Sequence, residues 1–399
     1  MPTSGEHVTA LIRSRFDDWV ETWPQNATSF GIHRYDDRLP DLSRAAKLAD
    51  IEADRAFVGE LDAIDPAGLD ERVAFERELS LHSTRLRLFE AEVSREWERT
   101  SSAADDIGYA LFLLVARDFA PIEERLGSLT SRIEGIPAAL EQVRDRLGGD
   151  TVGLWLEREA ATAAELPGLI GDIMASAVDT WPEGSLEHAR LRSAGQTAGD
   201  ALVDYQAWLT SRLDGAGERM ALGREELDRL VELRALDGLT TDGILAIGWE
   251  QLEAQHEARR AAGALIDPAL GEDEIVARVK ADGPSDFASA LAGYHEAMLR
   301  ARDHIEAHDL ATLPPADHLE VVATPKFMRN MLPLAAYFDP AAFDPVPRGT
   351  YVVTPSVDDD PSAMREHNWS SMVNTSVHEA YPGHHLQLTA ALATPTPAR

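Results

Sequence analysis

The sequence predicts a mainly α-helical protein with a small β element near its C-terminal motif. Three observations support this fold class: helical spacing of apolar residues up to about residue 310, a proline-rich composition from residue 311, and two short β-branched runs beyond it. The chain has 399 residues, more than one compact core usually contains. We therefore expect a helical body at 1–310 and a second region at 311–399, which holds the β element and the motif helix.

The clearest helix of the body is the stretch IEGIPAALEQVRDRL. Its apolar residues recur at steps of three and four, which places one apolar stripe along a helix: Ile133, Ile136, Leu140, Val143 and Leu147. The same spacing predicts further helices at Ile107–Leu126, Glu187–Leu213 and Thr241–Ala262. Residues that break helices predict turns at 148–150, 180–182 and 282–284.

The composition changes at about residue 311. Nine of the 22 prolines lie between Pro314 and Pro361, which excludes one long helix there. Within this segment, HLEVVATP (318–325) and RGTYVVTP (348–355) are β-branched and aromatic runs bounded by Pro or Gly. They predict two strands in a small sheet or β-hairpin, connected by the loop Phe338–Arg348. A helical pattern returns at Asn374 and carries the motif.

Charge and residue usage exclude several classes of protein. Lys and Arg number 37 against 69 Asp and Glu, and the net charge of -32 repels phosphate backbones and anionic lipid, so we expect neither nucleic acid nor membrane as partner. The absence of Cys excludes disulfides, thiolate ligands and a Cys nucleophile. The N-terminal stretch lacks the pattern of a signal peptide, and no run approaches the roughly 18 apolar residues of a membrane span. We therefore expect a cytoplasmic protein.

The motif HEAYPGHHLQ at residues 378–387 contains three of the 13 histidines. A zinc protease motif, HExxH, places its two histidines one helical turn apart, but here the fifth position is Pro382. Pro382 cannot donate an amide hydrogen to the carbonyl of His378, and the following glycine tolerates unusual backbone angles. These residues predict a bulged or kinked turn, which could bring His384 or His385 to the position of the usual second histidine.

The residue types of the motif match a catalytic zinc site. Two neutral imidazoles and one carboxylate form a three-ligand Zn²⁺ site with an open position for water. The ion lowers the pKa of that water to about 7, and Glu379, next to His378, can accept its proton as the catalytic base of amide hydrolysis. Gln387 could hold a ligand or a water. Glu379 also has a structural explanation, because Ser376-x-x-Glu379 matches a capping box in which the serine begins the helix.

The run RGTYVVTP suggests how a substrate could bind. An extended peptide can add to the edge of a short strand. Residues 349–354 could supply such an edge near the motif, with Arg348 and Tyr351 as substrate contacts. A purely structural hairpin explains the same residues.

The decapeptide of the motif resembles the signature of a bacterial family known as domain of unknown function 885. The similarity covers nearly the whole chain and includes RLGSLTSRIEGIPAALEQVRDRL and ATPKFMRNMLPLAAYFDP. The resemblance implies a helical, zincin-type metallopeptidase of the HExxH-plus-Glu style, which uses Zn²⁺ to hydrolyse peptide or related amide bonds. It also implies that His378 and one or both of His384 and His385 bind the metal, and that Glu379 is the catalytic base.

The chain departs from this family after the motif. Family members continue into an EGWA-like helix, whose Glu looks like a third metal ligand, whereas no Asp or Glu follows Glu379 here. The resemblance therefore implies a C-terminally truncated chain with an incomplete active site, weak zinc binding and little activity alone. A separate chain or an upstream carboxylate could supply the missing ligand. Two other classes stay open: a helical binding or scaffold protein with a vestigial metal site, and a metalloenzyme that acts on another amide.

Overall fold

The computed structural model of the protein is mainly helical. It describes residues 3–234, 238–314, 318–329, 332–344, 348–355 and 362–393. Helix accounts for 71% of the structure, and the described strands form one sheet of three strands, which confirms the mainly α fold class with a small β element. The chain divides into two compact units, Met1–Gly238 and Leu239–Thr394. The change of composition at residue 311 therefore falls inside the second unit.

The described residues of the first unit form ten α-helices. Their bounds are α1 Ser4–Thr22, α2 Pro24–Phe30, α3 Arg44–Asp62, α4 Glu71–Phe89, α5 Glu96–Arg99, α6 Ala103–Ala116, α7 Ile122–Arg146, α8 Gly153–Ala177, α9 Leu186–Ser211 and α10 Arg224–Arg234. Ser43, Asp70 and Ser185 cap α3, α4 and α9 by accepting a backbone amide of the first turn. Such caps satisfy amides that have no partner inside the helix, so they determine where these helices begin.

The predicted apolar stripe lies on α7 and forms part of the core of the first unit. Ile133, Ile136 and Val143 are completely buried, and Leu140 and Leu147 are buried as well. α7 packs against α6 and α9, and α8 packs against α9. The sequence prediction for this helix is therefore confirmed, because a stripe with this spacing must be covered by neighbouring helices.

The second unit contains five α-helices and three strands within its described residues. The helices are α11 Thr241–Ile266, α12 Glu272–Ala281, α13 Phe287–Ala307, α14 Trp369–Glu379 and α15 His384–Leu392. The strands are β1 His318–Ala323, β2 Ala335–Phe338 and β3 Arg348–Val353. In the part of the chain that the structure describes, no helix is both long and apolar enough to cross a membrane.

Two of the other helix predictions are confirmed and one is wrong. The helices predicted at 187–213 and 241–262 correspond to α9 and α11, and the three predicted turns lie between helices. The single helix predicted at 107–126 is wrong, because residues 117–121 separate α6 from α7. The apolar spacing continues across this gap and gives no sign of it. Pro121 stands directly before α7, where a missing amide hydrogen costs nothing.

β3 is the central strand of the sheet, whose order is β1-β3-β2. β1 pairs with β3 in parallel, and β2 pairs with β3 antiparallel. A sheet containing both predicted strands is thus confirmed, whereas a hairpin between them is wrong because they run in the same direction. The free edge predicted at residues 349–354 is also wrong, because β3 is hydrogen-bonded on both sides. β2 has only four residues, too few for an alternating pattern to predict it.

Two buried clusters connect α13 with the sheet and the motif. The first joins Tyr294 of α13 to Tyr351 of β3 and Met372 of α14. The second joins further residues of α13 to Tyr381 and to Leu386 of α15. α14 and α15, which carry the two halves of the motif, therefore both pack against α13, and this packing fixes their positions relative to the sheet.

The motif helix begins earlier than the sequence predicts. α14 starts at Trp369, where the side chain of Asn368 accepts a backbone amide at 2.9 Å, and not at Asn374. Ser376 lies inside α14 and is completely buried. The predicted capping box is therefore wrong, and Glu379, as the last residue of α14, has no capping role.

Candidate metal centre

A complete break at residues 380–383 divides the motif between α14 and α15. The amide of Ala380 donates to the carbonyl of Ser376 at 2.9 Å, and α14 ends there. Pro382 follows a cis peptide bond and has no amide hydrogen to continue the helix. The sequence predicts a bulge or kink within one helix, whereas the structure has two separate helices, but the interruption lies at the predicted position.

The break brings side chains of both helices together. The potential ligand atoms of His378, Glu379 and His384 lie within 4.8 Å of one another. The rings of His378 and His384 are nearly perpendicular, at 85°, with their centroids 4.8 Å apart. Nε2 of His384 lies 4.0 Å from Oε2 of Glu379. Among the described residues, no other set of three His, Asp or Glu side chains is gathered in this way.

The two imidazoles of this group fit a zinc ion by their donor type, because imidazole nitrogen is a usual ligand of catalytic zinc sites, whereas Ca²⁺ and Mg²⁺ take mostly oxygen ligands. In HExxH-type sites the glutamate beside the first histidine is not a ligand but the general base, and Glu379 occupies that place in the sequence. His378 is exposed and His384 is half-buried, so the group opens to solvent. Water can therefore reach it.

Glu379 lies in a less exposed position than the two histidines. Only 12% of its side chain is exposed. Burial raises the pKa of its carboxyl above the ordinary value, and the nearby His378 and His384 lower the pKa in part. A carboxylate with a raised pKa is a stronger general base near neutral pH.

His385 lies outside this group, although it is adjacent to His384. Its side chain is completely buried, and its Nδ1 lies 2.9 Å from the hydroxyl of Tyr337 on β2. Its ring packs edge-on against Tyr381, with the centroids 5.3 Å apart. Successive residues of an α-helix are rotated by about 100°, so neighbouring histidines meet different surroundings. Of the predicted ligands, the structure gathers His378 and His384 around Glu379.

The predicted substrate contacts occupy different environments. Arg348 and Gln387 are exposed, whereas Tyr351 is completely buried. The ring of Tyr351 packs edge-on against Tyr294 with a centroid distance of 5.9 Å, and burial raises the pKa of its hydroxyl. Contacts of Arg348, Tyr351 and Gln387 with a substrate stay predictions.

Tyr337 is a residue of this region that sequence reasoning misses. Its hydroxyl meets His385, and its ring lies almost parallel to that of His384, at 20° with a centroid distance of 6.4 Å. It belongs to the short apolar run AAYF, far upstream of the motif. No spacing rule connects such a run to the motif, and its only signal is an aromatic residue with a polar group.

The fold and the site define a helical protein with a small sheet and a His-Glu-His group at a helix break. The profile of a family described as bacterial protein of unknown function (DUF885) matches residues 24–399. The chain belongs to this family, which confirms the membership that its motif implies. A search of curated proteins finds no match.

Two solved structures share the fold over nearly the whole chain. One is a candidate lipoprotein of unknown function from Shewanella oneidensis, 18% identical with a TM-score of 0.72, and the match covers 97% of this chain and 72% of that one. The other is a candidate lipoprotein from Colwellia psychrerythraea, 12% identical with a TM-score of 0.79, covering 98% of this chain and 73% of that one. At these identities the likeness concerns the fold alone.

Proposed function

We propose that this protein is a zinc-dependent hydrolase of peptide or related amide bonds, with a zincin-like active site on α14 and α15. One observation carries the proposal: the ligand atoms of His378, Glu379 and His384 lie within 4.8 Å of one another beside a helix break. The two histidines hold the ion, and Glu379 is the catalytic base. Because the described part of the chain adds no further His, Asp or Glu to this group, we expect weak zinc binding.

Hydrolysis at this site would combine a zinc ion, held by the two histidines, with proton transfer by Glu379. Bound there, Zn²⁺ supplies Lewis acidity, which polarises a carbonyl group and lowers the pKa of water to about 7. The carboxylate of Glu379 accepts a proton from the attacking water as the new C–O bond forms. It then passes this proton to the amide nitrogen as the C–N bond breaks, so that the products are a carboxylic acid and an amine.

The test combines zinc binding with peptide cleavage on the whole chain. We expect His378→Ala and His384→Ala each to lower the zinc affinity at least about tenfold, measured by competition with a chromophoric chelator. Glu379→Gln should keep much of the zinc binding but abolish the slow cleavage of a peptide library, followed by mass spectrometry. The matched controls are His304→Ala and Glu296→Gln, which change exposed residues of α13 outside the group.

Each outcome decides between the proposal and its alternatives. Zinc binding that survives both histidine substitutions would show that His378 and His384 are not the ligands. Equal cleavage by the wild type and Glu379→Gln would show that Glu379 is not the base. Zinc binding that needs both histidines, without any cleavage, favours the helical binding or scaffold protein with a vestigial metal site. Cleavage confined to non-peptide amides favours the other metalloenzyme. The cytoplasmic location stays a prediction.

A further inference from the structure

We infer that Tyr337 is a positioning residue of the proposed metal centre. Its hydroxyl is anchored by the buried His385, and its ring holds the imidazole of His384 in place. The inference rests on the proposed function, because it concerns the same site. It gives the two adjacent histidines different tasks: His384 binds the metal, and His385 anchors the tyrosine.

His385 is suited to be the fixed end of this arrangement. Its side chain is completely buried and packs edge-on against Tyr381, which is itself buried in the cluster on α13. Its Nδ1 lies 2.9 Å from the hydroxyl of Tyr337. A buried imidazole cannot rotate without leaving polar atoms unpaired, which is costly. The hydroxyl of Tyr337 therefore meets a partner whose position does not change.

Gly349 makes the contact between Tyr337 and His385 possible. Tyr337 of β2 pairs directly with Tyr351 of β3, so Gly349, two residues before Tyr351, lies on the same face of the sheet. A Cβ atom at Gly349 would overlap both the hydroxyl of Tyr337 and Nδ1 of His385. The missing side chain at this position leaves the space in which the two polar groups meet.

The ring of Tyr337 also lies near His384 of the metal group. Its ring lies almost parallel to that of His384, with a centroid distance of 6.4 Å, while 45% of the His384 side chain is exposed. A half-buried histidine such as His384 loses rotamer freedom when it binds a metal, which weakens binding. An anchored aromatic ring beside it removes part of that freedom in advance. Residues that orient metal ligands typically change metal affinity about 10- to 100-fold when they are lost.

The experiment measures the zinc affinity and the visible spectrum of bound Co²⁺ on the whole chain. Tyr337→Phe and His385→Leu should each lower the zinc affinity about tenfold or more and change the Co²⁺ spectrum. The double variant should lose no more than either single variant, because the two residues act as one unit. His385→Asn places a polar atom near the position of Nδ1 and should recover most of the affinity.

The control is Tyr109→Phe, which removes a hydroxyl contact of 3.0 Å with Ser29 in the first unit. It should leave zinc affinity and spectrum unchanged. A lower melting temperature of the metal-free Tyr337→Phe protein, with wild-type zinc affinity and Co²⁺ spectrum, means a merely structural role and overturns the inference. The inference is also overturned if the losses of zinc affinity in the two single variants multiply in the double variant, because the two residues then act independently. If the wild type binds no zinc, the proposed function fails, and the inference fails with it.

Discussion

The backbone at Gly383 packs directly against the end of α14. A Cβ atom there would overlap the carbonyl group of His378 and the carbonyl oxygen of Val377, and both are backbone groups that cannot move aside cheaply. Gly383→Ala must therefore displace the break that brings α15 back to α14. We expect this variant to lower the free energy of unfolding by about 1–3 kcal/mol and to weaken zinc binding. Urea unfolding and chelator competition measure the two effects.

The matched control for this variant is Gly171→Ala in α8. A Cβ atom at Gly171 meets nothing within 4 Å, so alanine in this helix should be neutral or stabilise by up to about 1 kcal/mol. Wild-type stability and zinc affinity in Gly383→Ala would show that the backbone of the motif does not need the close approach at this glycine.

At the scale of elements, α8 carries a buried carboxyl group, that of Glu159, into the core of the first unit. Ser101 and the amide of Ala104 donate to its Oε1 at 2.9 and 2.8 Å, and the hydroxyl of Tyr205 donates at 3.2 Å. Burial nevertheless dominates and raises the pKa of Glu159 from 4.5 to about 8. The carboxyl is therefore protonated in the folded protein at neutral pH.

This raised pKa predicts how stability depends on pH. Below pH 4.5 both the folded and the unfolded state carry the proton, whereas between pH 4.5 and about 8 only the folded state keeps it. The free energy of unfolding therefore falls as the pH rises through this window, by up to about 1.4 kcal/mol per pH unit from this group. Glu159→Gln removes that contribution, so the variant should gain stability relative to the wild type from pH 5 to pH 8.

Urea unfolding of both proteins at pH 5, 6.5 and 8 checks this prediction. The difference between variant and wild type isolates Glu159, because all other titrating groups are common to both proteins. Glu157→Gln, an exposed position on the same helix, is the control and should show a constant difference. A constant difference for Glu159→Gln as well would mean that the folded protein does not hold the proton on this group.

The elements also show which parts of the fold a sequence can predict. The stripe of α7 is predictable because its period of three to four residues is a local property of the chain. The separation of α6 from α7 and the pairing of β1 with β3 are not local. The four residues of β2 form a strand because β3 supplies hydrogen-bond partners, and their own propensities would not predict it.

The candidate site shows the same division between local and distant information. His378, Glu379 and the neighbourhood of Pro382 can be identified from residue types and spacing, since they lie within a few residues of one another. The choice between His384 and His385 depends on the direction in which α15 leaves the break. The contact of Tyr337 with His385 depends on the sheet, so neither could be predicted from the motif.

At the scale of the whole molecule, the net charge of -32 opposes compactness. Many of the ion pairs that offset this repulsion are between exposed side chains, such as Arg190 with Glu134 and Arg224 with Asp228, and such pairs contribute about 0–1 kcal/mol each. The pairs act over a few ångströms, whereas the repulsion acts over the whole surface. Salt screens charges beyond about 10 Å at 0.1 M, so it should weaken the repulsion more than the pairs.

We therefore expect the melting temperature to rise by roughly 1–4 °C between 10 and 200 mM NaCl. The shift is small because a long chain has a large unfolding entropy, so a given gain in free energy changes its melting temperature little. Thermal unfolding followed by circular dichroism measures the shift.

The double variant Glu250→Lys/Glu253→Lys, on the exposed face of α11, changes the net charge from -32 to -28, since each substitution adds two charges. It should melt higher than the wild type at 10 mM NaCl and respond less to salt. A melting temperature that falls with added NaCl would mean that the ion pairs, and not the net repulsion, dominate the electrostatics of this protein.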